Sequence, residues 1–260
     1  MKSYRDFWLS AKEQIKTFKE LDDADLVFGA RTRGIGHNYE VHHPLTSQQI
    51  QTIEKDKNIT LPDEFRDYLL YFGAGGAGPD YGIKNIKETF KTTIFDNPFI
   101  YTEASKETGD VLDNEPIEDY DGLLYLGTAG CGTDYYIELL GKNIGTVWCS
   151  WGDGGTSSEG NFCDFYTQWL IKVETGLTRY HQLKTLGSRS KGISSIFSKL
   201  HIDEVINQMD CDFKEQKNDG SRHGPLEGQS WVHFNQTPGR VIVNDNREVI
   251  SIDFSFGRSI

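Results

Sequence analysis

The sequence predicts an α+β fold, an antiparallel sheet flanked by helices, with a small α+β extension at the C-terminal end. Apolar side chains recur at helical spacing in three segments before residue 73. Between residues 123 and 151, three short runs of strand-forming residues follow one another. Because the links between these runs are short, an antiparallel meander is the simplest arrangement for them.

Residues 61–78 contain the clearest helix signal. Pro62 suits the first helical position because its φ is fixed and it has no N–H to leave unpaired. Asp63 and Glu64 place negative charge in the first turn, where the helix dipole favours it. Four large side chains follow at the spacing of one buried face, namely Phe65, Tyr68, Leu69 and Phe72. Gly73 is expected to end this helix.

Two further helices precede this one. Residues 4–21 carry an apolar stripe made of Phe7, Trp8, Ala11, Ile15 and Phe18. Thr46 and Gln49 form a capping-box pattern, which predicts a helix that ends at Asn58. Since only a short turn separates it from the next helix, residues 46–72 should form two helices that pack side by side against the sheet.

The predicted strands cover residues 123–126, 134–140 and 145–151. Residues 31–44 are expected to be irregular, and residues 89–101 mix β-branched and aromatic residues without a clear period. A closing helix follows the strands, and Gly176 is expected to lie just past its end. The apolar positions that mark this helix are Phe162, Phe165, Tyr166, Trp169 and Val173.

The glycine- and serine-containing segment 187–192 is the best linker candidate. It divides the chain into a main domain at residues 1–178 and a small α+β extension at 193–260. In the extension we expect helical pieces within 193–209, a polar loop at 211–229 and strands at 231–234, 240–243 and 249–254.

Charge is distributed unevenly along the chain. The net charge is −12, from 27 Lys and Arg and 39 Asp and Glu. Residues 61–178 contain 7 basic and 20 acidic residues, and no Lys or Arg occurs between Glu107 and Gly141. Such a surface repels nucleic-acid phosphates and attracts basic partners. The alternative is a solvated acidic face that only aids solubility.

No apolar run approaches the length of a membrane-spanning helix, and the first residues do not resemble a signal peptide. We therefore expect a cytosolic protein without a membrane partner. The four cysteines contain no C-x-x-C pair, so we expect them to be small buried side chains rather than disulfide or metal-binding residues. They are Cys131, Cys149, Cys163 and Cys211.

No set of residues predicts catalysis, a metal or a cofactor. Gly73, Gly75 and Gly78 fit a dinucleotide-binding pattern, but that site needs a strand before the glycines, and here a helix precedes them. We therefore expect a plain loop. His42 and His43 would point to opposite faces of a strand, which argues against a shared metal ion. Residues 148–155 combine tryptophan, aspartate and glycines, which favours the end of a sheet over a ligand pocket.

The order of these segments resembles the SUKH superfamily of the Smi/Knr type. The resemblance begins with Leu61-Pro62, the acidic pair, the aromatic helix and the glycine loop, and it covers roughly residues 25–175. The other matching segments are Phe28-Gly29-Ala30, His37-Asn38-Tyr39, Pro44-Leu45-Thr46, Gly76 to Gly82, Gly130-Cys131-Gly132, Gly145-Thr146-Val147-Trp148 and the helix around Phe165 and Trp169.

The resemblance implies a non-enzymatic binding protein, specifically an immunity protein that neutralises a cognate bacterial polymorphic toxin in the cytosol. Many such toxins are basic nucleases, which agrees with the acidic middle of the chain. The surface that we expect to meet the toxin is the acid-rich segment. Its members are Asp110, Asp113, Glu115, Glu118, Asp119 and Asp121.

Two alternatives stay open from the sequence. Eukaryotic proteins of this superfamily resemble scaffold or regulatory proteins of cell-wall signalling, although the chain lacks a long disordered flank. A small-molecule-binding protein or an enzyme would use residues 73–82 or 148–155.

Overall fold

The computed structural model describes residues 3–99, 120–151, 156–188, 202–203, 213–217, 227, 229–234 and 239–254. The chain divides into two compact units, of which the first contains the residues up to Glu20 and Phe28–Leu170. The second contains Leu21–Val27 and Ile171–Gly257. Most of the predicted linker lies outside the described residues, so the domain boundaries at 178 and 193 stay predictions.

Helix α1 (Arg5–Leu21) and helix α2 (Ser47–Lys57) confirm the first two predicted helices. The capping box is present, because the Thr46 side chain accepts from the Gln49 N–H and the Gln49 side chain accepts from the Thr46 N–H. Asn58 ends α2 in the left-handed conformation. The buried face of α1 consists of Trp8, Ala11, Ile15 and Phe18.

The third helix differs from the prediction in one respect. Helix α3 (Asp63–Asp67) begins after Pro62 and passes without a break into a π-helical turn, Tyr68–Phe72. The Gly73 N–H donates to the carbonyl of Tyr68, five residues earlier, at 3.0 Å. In this wider turn the rings of Tyr68 and Phe72 stack with centroids 5.0 Å apart. All four predicted core side chains of this segment are fully buried.

The aromatic core of the first unit surrounds Trp8. Its indole ring lies 5.0 Å from Tyr68, 5.7 Å from Phe162 and 5.2 Å from Tyr166, measured between ring centroids. The indole N–H donates to the carbonyl of Glu64 at 3.0 Å, which satisfies its one polar atom. The side chain of one residue therefore connects α1, α3 and the closing helix.

The first sheet contains β1 (Leu123–Gly130), β2 (Thr133–Glu138), β3 (Thr146–Ser150) and β4 (Thr156–Asn161) in that spatial order. All its strand pairs are antiparallel, which confirms the predicted meander. Strand β4 was not predicted, because its sequence TSSEGN has no apolar alternation. It forms by pairing with β3 at the edge of the sheet.

One helix of the structure was not predicted, and one predicted helix end differs from the structure. Helix α4 (Ile86–Thr92) begins at Asn85, whose side chain accepts from the Lys87 N–H, although the segment from 89 shows no clear periodicity. Helix α5 (Phe162–Ser188) continues through Gly176, so the predicted end there is wrong. Val173 and Leu177 are both fully buried. Burial of these two side chains outweighs the cost of about 1 kcal/mol for glycine inside a helix.

The second unit contains an antiparallel sheet of β5 (Phe213–Lys217), β6 (Gln229–Phe234), β7 (Gly239–Asn244) and β8 (Val249–Phe254), in that order. The last three strands confirm the predicted ones. The prediction of a loop throughout 211–229 is wrong, because β5 forms within it. Glu215 of β5 accepts from the guanidinium of Arg247 at 2.8 Å, so this polar strand is held by an ion pair as well as by backbone pairing.

Leu69→Ala should lower the free energy of unfolding by about 2–5 kcal/mol, because it leaves a cavity beneath a fully buried position. Urea unfolding measures the loss. The matched control is Leu9→Ala, whose side chain is 39% exposed and which should change stability by no more than about 0.5 kcal/mol. A loss below about 1 kcal/mol at Leu69 would contradict its position in the core.

Candidate functional site

The glycine loop is packed too closely to be a phosphate site. Residues 72–80 are all buried, and the segment follows a helical turn rather than a strand. At Gly75 and Gly76, φ is +118° and +107°. A Cβ atom at Gly75 would collide with the carbonyl oxygen of Lys84, and one at Gly76 with that of Glu40. The glycines therefore allow two backbone segments to approach the loop, as expected for a plain loop.

Asp80 connects this loop to the sheet. Its side chain is fully buried, and the hydroxyl of Tyr135 on β2 donates to its carboxylate at 2.8 Å. The ring of Tyr135 packs against Phe165 of α5 at 5.1 Å between centroids. This contact places Tyr135 on the face of the sheet that is turned towards the helix.

The histidines and cysteines of the described residues form no cluster that could hold a metal ion. His42 and His43 are exposed and lie in irregular backbone rather than in a strand. No three His, Cys, Asp or Glu residues of the described segments lie close enough together to hold a metal ion. Burial, followed by nearby carboxylates, raises the pKa of the Cys149 thiol to about 12, so it stays protonated.

Among the three described cysteines, only Cys149 is buried as expected. Cys163 is half-buried, and Cys131 is exposed in the turn between β1 and β2, where its φ is +52°. That turn displaces the side chain from the sheet. Cys211 lies outside the described residues.

His37 is a buried structural residue. Its Nδ1 accepts from the N–H of Tyr39 at 3.0 Å, and its ring lies against Trp169 with centroids 5.9 Å apart. Burial lowers its pKa to about 4, because the charged ring would lose its hydration. His37 is therefore neutral at pH 7 and carries its proton on Nε2.

Of the six predicted toxin-binding carboxylates, only Asp121 lies within the described residues. Asp110, Asp113, Glu115, Glu118 and Asp119 lie outside the described residues. Asp121 lies just before β1 and is half-buried, and the side-chain amide of Asn97 donates to its carboxylate at 2.7 Å. The role of the six carboxylates stays a prediction.

The face of the first sheet opposite Tyr135 carries a buried cluster of Phe99, Leu123, Tyr136 and Trp148. Tyrosines and carboxylates lie around its more exposed part, next to Asp121. Alternation along β2 places Asp134, Tyr136 and Glu138 on the opposite face from Tyr135. Tyr136 stacks on Tyr120 at 4.8 Å and contacts Tyr125 at 5.4 Å, measured between centroids. We define the acidic-aromatic face as Tyr120, Asp121, Tyr125, Asp134 and Tyr136.

This face is partly open to solvent. The Tyr120 side chain is 44% exposed, Tyr125 is half-buried and Tyr136 is almost fully buried beneath them. The hydroxyl of Tyr125 donates to Asp134 at 3.4 Å. Burial, and secondarily Asp134, raises the pKa of Tyr125 to about 12, while burial and Tyr120 raise that of Tyr136. Exposed aromatic rings beside carboxylates suit Lys and Arg side chains.

Glu138 lies on the same face of β2 as Asp134 and Tyr136, in its buried part. Its carboxylate is fully buried and accepts from the N–H of Asn143 at 2.7 Å and from the indole N–H of Trp148 at 3.0 Å. Burial raises its pKa, although both hydrogen bonds act in the other direction. The ring of Phe99 covers Trp148 at 5.4 Å between centroids. These contacts fix the link from β2 to β3.

Sequence reasoning missed the tyrosines of this face. Tyr125 and Tyr136 are directly opposite each other in the register of β1 and β2. Both strands were predicted, so the correct register between them would have brought the two tyrosines together. The register depends on bulges in β1 after Tyr125 and after Thr128, which no local pattern indicates.

Comparison with known proteins confirms the resemblance. Residues 44–168 match the model of the SMI1 / KNR4 family (SUKH-1). This stretch includes α2, the glycine loop, the first sheet and the beginning of α5. No curated protein matches the chain at a significant level. Within the described residues, no helix is both long and apolar enough to cross a membrane.

His37→Asn should remove part of the acid sensitivity of the fold. The asparagine oxygen can still accept from the Tyr39 N–H but does not titrate. In the natural protein, the unfolded chain binds a proton at His37 below its ordinary pKa of 6.5, while the folded protein does so only near pH 4. Stability is therefore lost as the pH falls through this window, by about 2–3 kcal/mol between about pH 7 and pH 4.5.

The measurement is urea unfolding of both proteins across this pH range. The variant should be less stable at neutral pH, because the ring contact with Trp169 is lost, and the difference should shrink as the pH falls. His43→Asn is the control, since His43 is exposed. If the free energy of unfolding of His37→Asn and of the natural protein changed with pH in parallel, His37 would not be held neutral.

Proposed function

Given that the chain carries a domain of the SMI1 / KNR4 family (SUKH-1) at residues 44–168, we propose that it is a bacterial immunity protein. In this proposal it acts without catalysis, in the cytosol, and neutralises a cognate toxin of a polymorphic toxin system. The observation that carries the proposal is the acidic-aromatic face, in a stretch of sequence from Glu107 to Gly141 without any Lys or Arg.

The chemistry of this face suits a basic toxin such as a nuclease. A nuclease surface is rich in Lys and Arg because it binds phosphates. Carboxylates on the immunity protein attract that surface during diffusion and raise the association rate. By occupying the cations that bind nucleic acid, the immunity protein would block the substrate from the toxin.

The tyrosines supply the second element that a tight complex needs. Interface energy is concentrated in a few packed residues, among which tyrosine, tryptophan and arginine are enriched. Tyr120 is exposed but already stacked on Tyr136, so little side-chain freedom is left to lose on binding. We propose that Tyr120 packs against a toxin side chain while the carboxylates surround this contact.

The acid-rich segment joins this face through the chain itself. Asp119 immediately precedes Tyr120, and Asp121 immediately follows it. We therefore propose one continuous toxin-binding surface that comprises the acidic-aromatic face and the carboxylates Asp110, Asp113, Glu115, Glu118 and Asp119.

The experiment begins with the gene next to the one for this chain. A large secreted protein with a variable C-terminal domain encoded immediately upstream would supply the candidate toxin. Its C-terminal domain is expressed with and without this chain, and growth and complex formation are measured. The proposal expects restored growth and a co-purifying complex, and a toxin that neither binds nor is neutralised would overturn it.

Replacing Asp113, Glu115 and Glu118 by Lys should slow association with the toxin by about tenfold or more at low salt and flatten its salt dependence. Thermal stability should stay nearly unchanged. Stopped-flow or surface-based kinetics over a salt series provide the measurement. The control replaces Glu13, Glu20 and Glu40, which are exposed, and changes the net charge by the same amount. An unchanged association rate would show that the segment serves solubility only.

Tyr120→Ala should instead act on dissociation. Loss of a packed aromatic contact at the centre of an interface should raise the dissociation rate about fivefold or more and change the association rate little. Ile35→Ala is the control, because Ile35 is 52% exposed and lies outside the face. Equal dissociation rates for the two variants would place the packed centre of the interface elsewhere.

A further inference from the structure

A groove of about 490 Å³ lies between α2 and α4 in the first unit. Its apolar lining consists of Ile53 from α2 and Phe90 from α4. Three lysines line it as well, Lys57, Lys87 and Lys91, with Asp56 as the one acidic lining residue. Lys87 and Lys91 are one helical turn apart, so both project from the same side of α4.

The charge of this groove is opposite to that of the surrounding sequence. Residues 61–178 contain 7 basic and 20 acidic residues, yet two of those seven basic residues, Lys87 and Lys91, line the groove. The ammonium of Lys57 donates to the carbonyl of Thr93 at 2.8 Å, which holds its positive charge at the end of α4. Lys91 pairs with Glu88 at 2.7 Å, but Glu88 is not part of the lining.

The apolar surface continues beyond the groove. Phe90 is packed against Phe95 with centroids 6.3 Å apart, and Ile94 between them in sequence is 61% exposed. An exposed isoleucine next to a lysine-rimmed groove extends the area that an apolar side chain can cover. Such a combination is typical of sites that bind an amphipathic segment.

We propose that this groove binds an acidic, amphipathic peptide segment of a partner protein. Apolar side chains of the segment contact Ile53 and Ile94 above the ring of Phe90, which is buried, and its carboxylates pair with Lys87 and Lys91. The occupant must be acidic, because a basic segment would meet three ammonium groups. The site therefore differs in partner chemistry from the acidic-aromatic face, and it does not depend on the proposed immunity function.

The test uses a fluorescein-labelled synthetic peptide of about 14 residues in which Glu alternates with Leu and Phe at helical spacing. Two control peptides replace either the apolar residues by Ser or the acidic residues by Lys. Fluorescence anisotropy is measured with the full chain at about 50 mM and about 300 mM NaCl, which separates screened from unscreened attraction. Only the acidic, apolar peptide should bind, and more weakly at the higher salt concentration.

The variant Lys87→Glu/Lys91→Glu should weaken this binding at least about tenfold, since two attractive pairs become repulsive. The matched control is Lys16→Glu/Lys19→Glu on α1, which changes the net charge equally. The two sites are comparable. Lys16 pairs with Glu13 at 2.7 Å and its side chain is 65% exposed. Lys91 pairs with Glu88 at 2.7 Å and its side chain is 66% exposed. Thermal unfolding of both variants shows whether they remain folded.

Unchanged affinity in the groove variant would overturn the proposal. Equal binding of the serine-substituted peptide would also overturn it, because the groove would then be a general site for polyanions. Neither result bears on toxin neutralisation, since both variants leave the acidic-aromatic face intact. A chain that neutralises a toxin but does not bind the peptide would thus separate the two proposals.

Discussion

The packing of Trp8 is the contact on which the first unit depends. Its ring lies among Tyr68, Phe162 and Tyr166, and its N–H is bound by the carbonyl of Glu64. Three helices distant in sequence are joined there. The π-helical turn belongs to the same constraint, because it brings Tyr68 and Phe72 into a stack that also faces the indole.

From this core, buried polar contacts position the sheet and the loops. The carboxylate of Asp80 ties the glycine loop to Tyr135, and that of Glu138 ties the β2–β3 link to Trp148. Burying a carboxylate costs free energy unless its oxygens are hydrogen-bonded. These donors fix where the glycine loop and the β2–β3 link lie against the sheet.

The two surfaces proposed for binding have opposite charge and a similar design. Each combines ionic side chains with apolar or aromatic ones. The ionic side chains attract a partner at a distance, and the apolar or aromatic ones pack against it on contact. The acidic-aromatic face follows from the pairing of β1 with β2. The lysine-rimmed groove follows from the approach of α4 to α2. Each places charge of one sign beside side chains able to exclude water.

The sequence by itself determined the fold class, four of the helices and most strands. These features depend on neighbouring residues, such as the capping box at Thr46, the four-residue face from Phe65 and the αL end at Asn58. It also determined the charge of each segment and the resemblance that the family match confirms. Only tertiary structure decided the polar strands β4 and β5, the passage of α5 through Gly176 and the stacking of Tyr120 on Tyr136. Each of these depends on pairing or burial against residues distant in the chain, which local periodicity does not contain.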